Sequence, residues 1–103
     1  MKNKMKMRKS LEKFLFELNF KKREGDDVSI DYTVNIPTNE KDRTYTLVIS
    51  LVHNLNAVVW SIVGKDLNNE TQVLRLATFK PSFLDNDKKV LDYITRVVNL
   101  FKI

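Results

Sequence analysis

The sequence predicts an α+β domain in the order α-β-β-β-β-α, with a four-stranded antiparallel meander and two helices packed mainly on one of its faces. Three observations predict it. Apolar residues recur at helical spacing near both ends of the chain, over 11–18 and 90–101. Between them, four stretches carry side chains that alternate with a period of two. The connections between those stretches are too short for the crossovers that a parallel sheet requires. A chain of 103 residues, 43% hydrophobic and 30% charged, can bury about 60–70% of its unfolded surface, enough for one core. Residues 1–9 read as a basic arm and 10–103 as the domain.

Ser10 is the expected cap of a first helix over 11–22, and Gly25 is placed to stop it. Met7, Leu11, Phe14, Leu15 and Leu18 form one stripe. At about 100° per residue, Phe16 and Phe20 fall nearly opposite that stripe. Either they meet a second partner, or the helix frays early and Phe20 folds back as a cap contact.

The first strand spans 28–36, with Val28, Ile30, Tyr32, Val34 and Ile36 on one face and Ser29, Asp31, Thr33 and Asn35 on the other. After a polar turn from Pro37 to Asp42, the second strand covers 44–52. It sets Tyr45, Leu47, Ile49 and Leu51 against Thr46, Val48, Ser50 and Val52. Asn54, Leu55 and Asn56 make a tight connection to the third strand, 57–63, where Val58, Trp60 and Ile62 oppose Val59, Ser61 and Val63. The fourth strand, 71–79, sets Leu74 and Leu76 against Val73, Arg75, Ala77 and Phe79. Pro81 and Ser82 signal the last helix, with Asp85 in capping-box position and Asp87 as the cap in reserve. Its stripe is Phe83, Leu84, Val90, Leu91, Ile94, Val97, Val98 and Phe101.

With Val28–Ile36 and Tyr45–Leu51 on the core face, Val48, Val52, Val59, Val63, Val73, Ala77 and Phe79 populate the other. Helices on both faces would hide that surface. The polar second face of the first strand favours helices on one face only, which leaves an apolar patch of the kind that marks an interface.

The formal charge of +5 is concentrated at one end: residues 1–23 hold nine Lys and Arg against two Glu. Lys2, Lys4, Lys6, Arg8 and Lys9 precede the first helix, and Lys21, Lys22 and Arg23 close it. Together they are the candidate contacts for an anion or a nucleic acid, since clustered cations gain by releasing counterions. Lys21 to Arg23 are also explained as cations at a helix C-terminus. The arm has no aromatic residue to stack on bases, so weak, sequence-independent nucleic-acid binding is the expectation.

Catalysis finds no support. Zero cysteines exclude thiol chemistry, disulfides and cysteine metal sites. His53 is the only histidine and reads as a turn residue. Asp26-Asp27 and Asp85-Asn86-Asp87 lack the ligand spacing of a cation loop. Gly25 and Gly64 are too far apart for a phosphate cradle, and no serine sits in a nucleophile elbow. No metal and no cofactor is expected. No apolar run approaches the roughly 20 residues of a membrane span. The basic start resembles that of a signal peptide, but Glu12, Lys13 and Glu17 break the apolar segment that a signal would need next, and a cytoplasmic location is expected. The richness in Lys and Asn suggests an AT-rich coding sequence, as in low-GC bacteria and their phages.

The resulting expectation is a small non-enzymatic binding protein that occupies a surface of another macromolecule, most readily another protein. Small proteins of phages and mobile elements that inhibit a host system, and immunity proteins that plug a toxin, have this makeup. A homodimer is a further candidate assembly. The expected contacts are Phe16, Phe20, Val48, Val52, Val59, Val63 and Phe79. The alternative is a nucleic-acid-binding module that uses the basic arm and the first helix.

Overall fold

The computed structural model describes residues 5–24 and 27–99. The first helix, α1, runs Lys9–Glu17 and buries Leu11 and Leu15. Arg8, not Ser10, holds the N-cap position, and no side chain caps there. The helix ends well before residue 22, for a local reason. Asn19 takes a left-handed conformation, φ 72°, and its N–H donates to the Phe16 carbonyl while the Phe20 N–H reaches back to Leu15, both at 3.0 Å. This is a Schellman termination with Asn in the place glycine commonly takes, and Phe20 packs back toward Leu15 in the core. Gly25, the expected stop, lies outside the described residues.

Ending the helix there frees Lys21–Arg23 to form a short strand, β1, which is the correction to the expected strand count. The sheet has five strands in the order β1-β2-β3-β4-β5, every pair antiparallel. The others are β2 Ser29–Ile36, β3 Arg43–Val52, β4 Ala57–Asp66 and β5 Thr71–Phe79. Val28 stands just outside β2 and is largely exposed. A 3₁₀ turn at His53–Leu55, closed by left-handed Asn56, joins β3 to β4. The β4–β5 turn is built on Asp66, whose carboxylate accepts the N–H groups of Asn68 at 2.9 Å and Glu70 at 3.0 Å.

A 3₁₀ segment at Pro81–Asp85 leads to the second helix, α2, Asp87–Asn99. Its cap is Asn86, whose side-chain oxygen accepts the Lys89 N–H at 3.1 Å, and neither Ser82 nor Asp87 plays that part. Val90, Ile94 and Val97 form its buried stripe, while Leu91 is partly exposed and Phe101 lies outside the described residues.

Every fully buried strand side chain belongs to one sheet face. In register, Tyr32, Ile49 and Trp60 share a row, as do Val34, Leu47 and Ile62, and Leu51 and Val58. The buried residues of α1 and α2 join this same cluster, so both helices cover one face and the other is left open. Among the described residues, no helix is long and apolar enough to cross a membrane.

A bulge divides β5. Ile62 pairs with Arg75 but Val63 with Val73, so Leu74 is the extra residue and the alternation of the strand resets there. Ala77 and Phe79 therefore lie on the helix face, with Trp60 and Val58, while Val73 lies on the open face. Phe79 joins an aromatic cluster with Trp60, Phe83 and Tyr93, stacked on Phe83 at 4.4 Å and edge-on to Tyr93 at 5.3 Å.

Candidate binding surface

The open face has two halves of different chemistry. On the β2 side it presents Ser29, Asp31, Thr33 and Asn35, which bond locally: Ser29 donates to Asp31 at 3.1 Å, and Thr46 on β3 donates to Asn35 at 3.4 Å. Toward β5 it turns apolar. Val48 shares a row with Ser61 and Leu76, Val59 a row with Ser50 and Thr78, and Val63 a row with Thr46 and Val73. The valines of the central strands are half-buried by their neighbours alone, whereas Val73 and Leu76 are 59% and 65% exposed.

The structure thus brings Val48, Val52, Val59, Val63 and Val73 to one face as expected and adds Leu76. Val52 sits toward the end of the face, in a row with Ser29 and Ala57 and diagonal to Val59. Phe79 does not belong to this surface, because the bulge turns it into the aromatic cluster. Leu76 takes the position that an unbroken alternation would have assigned to the opposite face, and nothing in the sequence marks the bulge.

The two sheet edges contrast. β1 covers part of one edge with three exposed cations, Lys21, Lys22 and Arg23, which discourage strand addition. The other edge is β5, nine residues long, exposed from Thr71 to Leu76 and carrying Val73, Leu74 and Leu76. Among the described residues no strand pairs with its outer side. Leu74 bends over Gly64, where an added Cβ would sit 3.3 Å from it and from the Tyr45 ring.

The phenylalanines of the first helix part company. Phe20 is buried, 4% exposed, which corrects its expected place on an outer surface. Phe16 remains 44% exposed and leans on the Tyr32 ring at 6.3 Å, on the helix side of the sheet and not on the open face.

Two of the described cations are engaged within the protein. Lys2 and Lys4 lie outside the described residues. Arg8 donates to the Leu84 carbonyl and pairs with Asp87, tying the chain start to the beginning of α2. Lys21 to Arg23 lie in β1, beyond the end of α1, so they do not serve as the C-terminal charge of a helix, and Lys22 is held by Glu12 at 3.0 Å and Glu24 at 3.4 Å. Lys6, Lys9, Lys21 and Arg23 are exposed. Glu12 also accepts the Tyr32 hydroxyl at 2.5 Å, and this bond, with Lys22 beside it, holds its carboxyl below the usual value. Burial, then the adjoining Glu12, pushes the Tyr32 hydroxyl upward, and the Glu12 bond raises Lys22. These three groups join α1, β1 and β2 as a charged latch.

His53 is nearly buried, and its Nδ1 accepts the Met5 N–H at 3.0 Å. It anchors the N-terminal segment, and Met7 beside it is buried in the core. Among the described residues no group of three acidic or histidine side chains is placed to hold a metal ion. No protein-family model, curated protein or solved structure matches this chain.

Proposed function

We propose that this is a non-enzymatic binding protein that holds another polypeptide against the β4–β5 half of its open sheet face. The observation that carries the proposal is the one-sided sheet, whose uncovered face gathers Val48, Val59, Val63, Val73 and Leu76 beside an edge strand without a partner. Burying such a surface gains about 25 cal/mol per Å² of apolar area removed from water. Interfaces are commonly built around a continuous apolar centre with a polar rim, and Thr46, Ser50 and Thr78 supply that rim here. A protein of this kind acts by occupancy, as an inhibitor or immunity protein does, and it needs no reacting groups.

The Val59→Lys variant tests the proposal. Val59 is at the middle of the face and outside the buried core, so the variant should keep the native circular dichroism and urea midpoint. It should lose the partner that the unaltered protein retains in affinity capture from its host. Light scattering on the unaltered protein decides whether that partner is a second copy: a mass that doubles with concentration identifies a homodimer, and Val59→Lys should then be monomeric. Undiminished capture by a folded Val59→Lys protein would refute the proposal.

A further inference from the structure

A cleft of about 440 Å³ lies between β5 and α2, lined by Arg75, Tyr93, Arg96, Val97 and Asn99. Arg75 is on the helix side of β5, in register with buried Ile62, and Arg96 approaches from near the end of α2. Both arginines are exposed. Among the described residues neither guanidinium forms an ion pair or a hydrogen bond, and Asp92, one turn earlier on α2, is not within ion-pair distance of Arg96. This sets them apart from Arg8 and Lys22, which are both engaged.

An arginine on an edge strand is explained on its own as a charge that resists strand addition. That explanation covers Arg75, and Arg96, in the last turn of α2, suits a helix C-terminus, but neither accounts for two guanidiniums lining one cleft. Two like charges lining one cleft repel each other unless an anion joins them, and a guanidinium is shaped to hold a carboxylate by two parallel hydrogen bonds. The floor favours the aliphatic stem of an acidic side chain over a nucleobase. Val97 is buried and apolar, and the half-buried Tyr93 ring is held in the aromatic cluster by Trp60 at 4.7 Å and Phe79 at 5.3 Å. Beside the cleft runs the unpaired outer edge of β5, where an extended segment can add as a further strand.

We infer that the Arg75–Arg96 cleft receives a carboxylate side chain of an extended acidic segment that pairs with the outer edge of β5. The inference rests on the proposed docking of a polypeptide on the β4–β5 side and names the chemistry of that partner. The edge supplies main-chain hydrogen bonds without sequence preference, and the cleft selects acidic residues. Specificity and affinity then come from different parts of one surface.

The test is a titration of ¹⁵N-labelled protein, followed by NMR, with an eight-residue peptide of alternating glutamate and threonine and with its glutamine–threonine counterpart. The glutamate peptide should shift the backbone amides of residues 71–79 and the side-chain N–H signals of Arg75 and Arg96. It should bind at least tenfold more tightly than the glutamine peptide, and more weakly as salt rises. Arg75→Gln and Arg96→Gln should each remove most of that tenfold preference while the β5 shifts persist. Equal binding of the two peptides would overturn the acidic selectivity and leave docking on β5 standing. No shift in residues 71–79 with either peptide would overturn strand addition, while the Val59→Lys test still judges the sheet face. Stronger shifts of the two arginines by an eight-nucleotide oligothymidylate than by the glutamate peptide would overturn the inference in favour of a nucleic acid.

Discussion

Truncating the two phenylalanines at the end of the first helix separates what this region does for folding from what it offers to solvent. Phe20 is 4% exposed, and its ring belongs to the core. Removing a buried phenylalanine ring costs about 3–5 kcal/mol, depending on how far the void can relax or fill. Here the void would open into a groove of about 740 Å³ lined by Leu18, Val34, Ile94 and Val98 among others, so water can enter and the low end of the range, about 3 kcal/mol, applies. Phe16 is 44% exposed, so close to half of a full burial value of about 1.5–3 kcal/mol is already forgone. Its tilted contact with Tyr32 adds a few tenths, and Phe16→Ala should cost about 1 kcal/mol. Urea unfolding followed by circular dichroism measures both. With an m-value of about 1–2 kcal/mol per molar, the midpoint should fall by roughly 1.5–3 M for Phe20→Ala and 0.5–1 M for Phe16→Ala. Against a total stability of about 5–15 kcal/mol the first loss is severe. Equal midpoints for the two variants, or a larger fall for Phe16→Ala, would refute the assignment of Phe20 to the core.

The charged latch makes stability depend on pH in a definite direction. Because the folded state holds Glu12 below its ordinary value of 4.5, its contribution is present above that value and is lost as pH falls through the lower folded one. Glu12→Gln should lower stability at pH 7 by about 1 kcal/mol, discounted for partial exposure, and should flatten the acid limb of a stability–pH curve measured by urea titration. Deleting residues 1–9 removes Met7 from the core and the Arg8–Asp87 pair, so its melting temperature should fall, whatever its effect on ligands. Oligonucleotide binding by the unaltered chain should be weak and independent of sequence; a submicromolar complex with one defined sequence at physiological salt would promote nucleic acid to the leading partner.

Alternation made the four longer strands legible. The polar face of Ser29, Asp31, Thr33 and Asn35 pointed to a sheet covered on one side, in keeping with the single buried face. β1 escaped because three consecutive cations carry no apolar period, and their position after a helical stripe suggested a helix end. The termination was nonetheless written locally: Asn19 followed by Phe20, with Leu15 one turn back, is the composition of a Schellman cap without glycine. Phe79 was misplaced because period-two counting assumes an unbroken strand, and a single bulge at Leu74 reverses the sides of everything beyond it. The Arg75–Arg96 cleft had no sequence signal, since it joins residues from two elements whose approach depends on packing. Of the surface valines, Val48, Val52, Val59 and Val63 were visible because β3 and β4 pair without interruption.

The tie between Arg8 and Asp87 bears on the order in which the molecule assembles. Each strand pairs with its neighbour in the chain, so the hairpins close short loops, and contacts of low sequence separation form early. Arg8 and Asp87 stand 79 residues apart, and Met5 reaches His53 across 48. Such closures carry the largest loop entropy and reward the chain only once the sheet exists to receive them. The N-terminal segment should therefore dock late and release early. In native-state hydrogen exchange the Met5 amide, protected by the His53 ring, should open at a free energy well below that of the β3–β4 ladder. A protease acting on the folded protein would then enter at the chain start, with the sheet still intact.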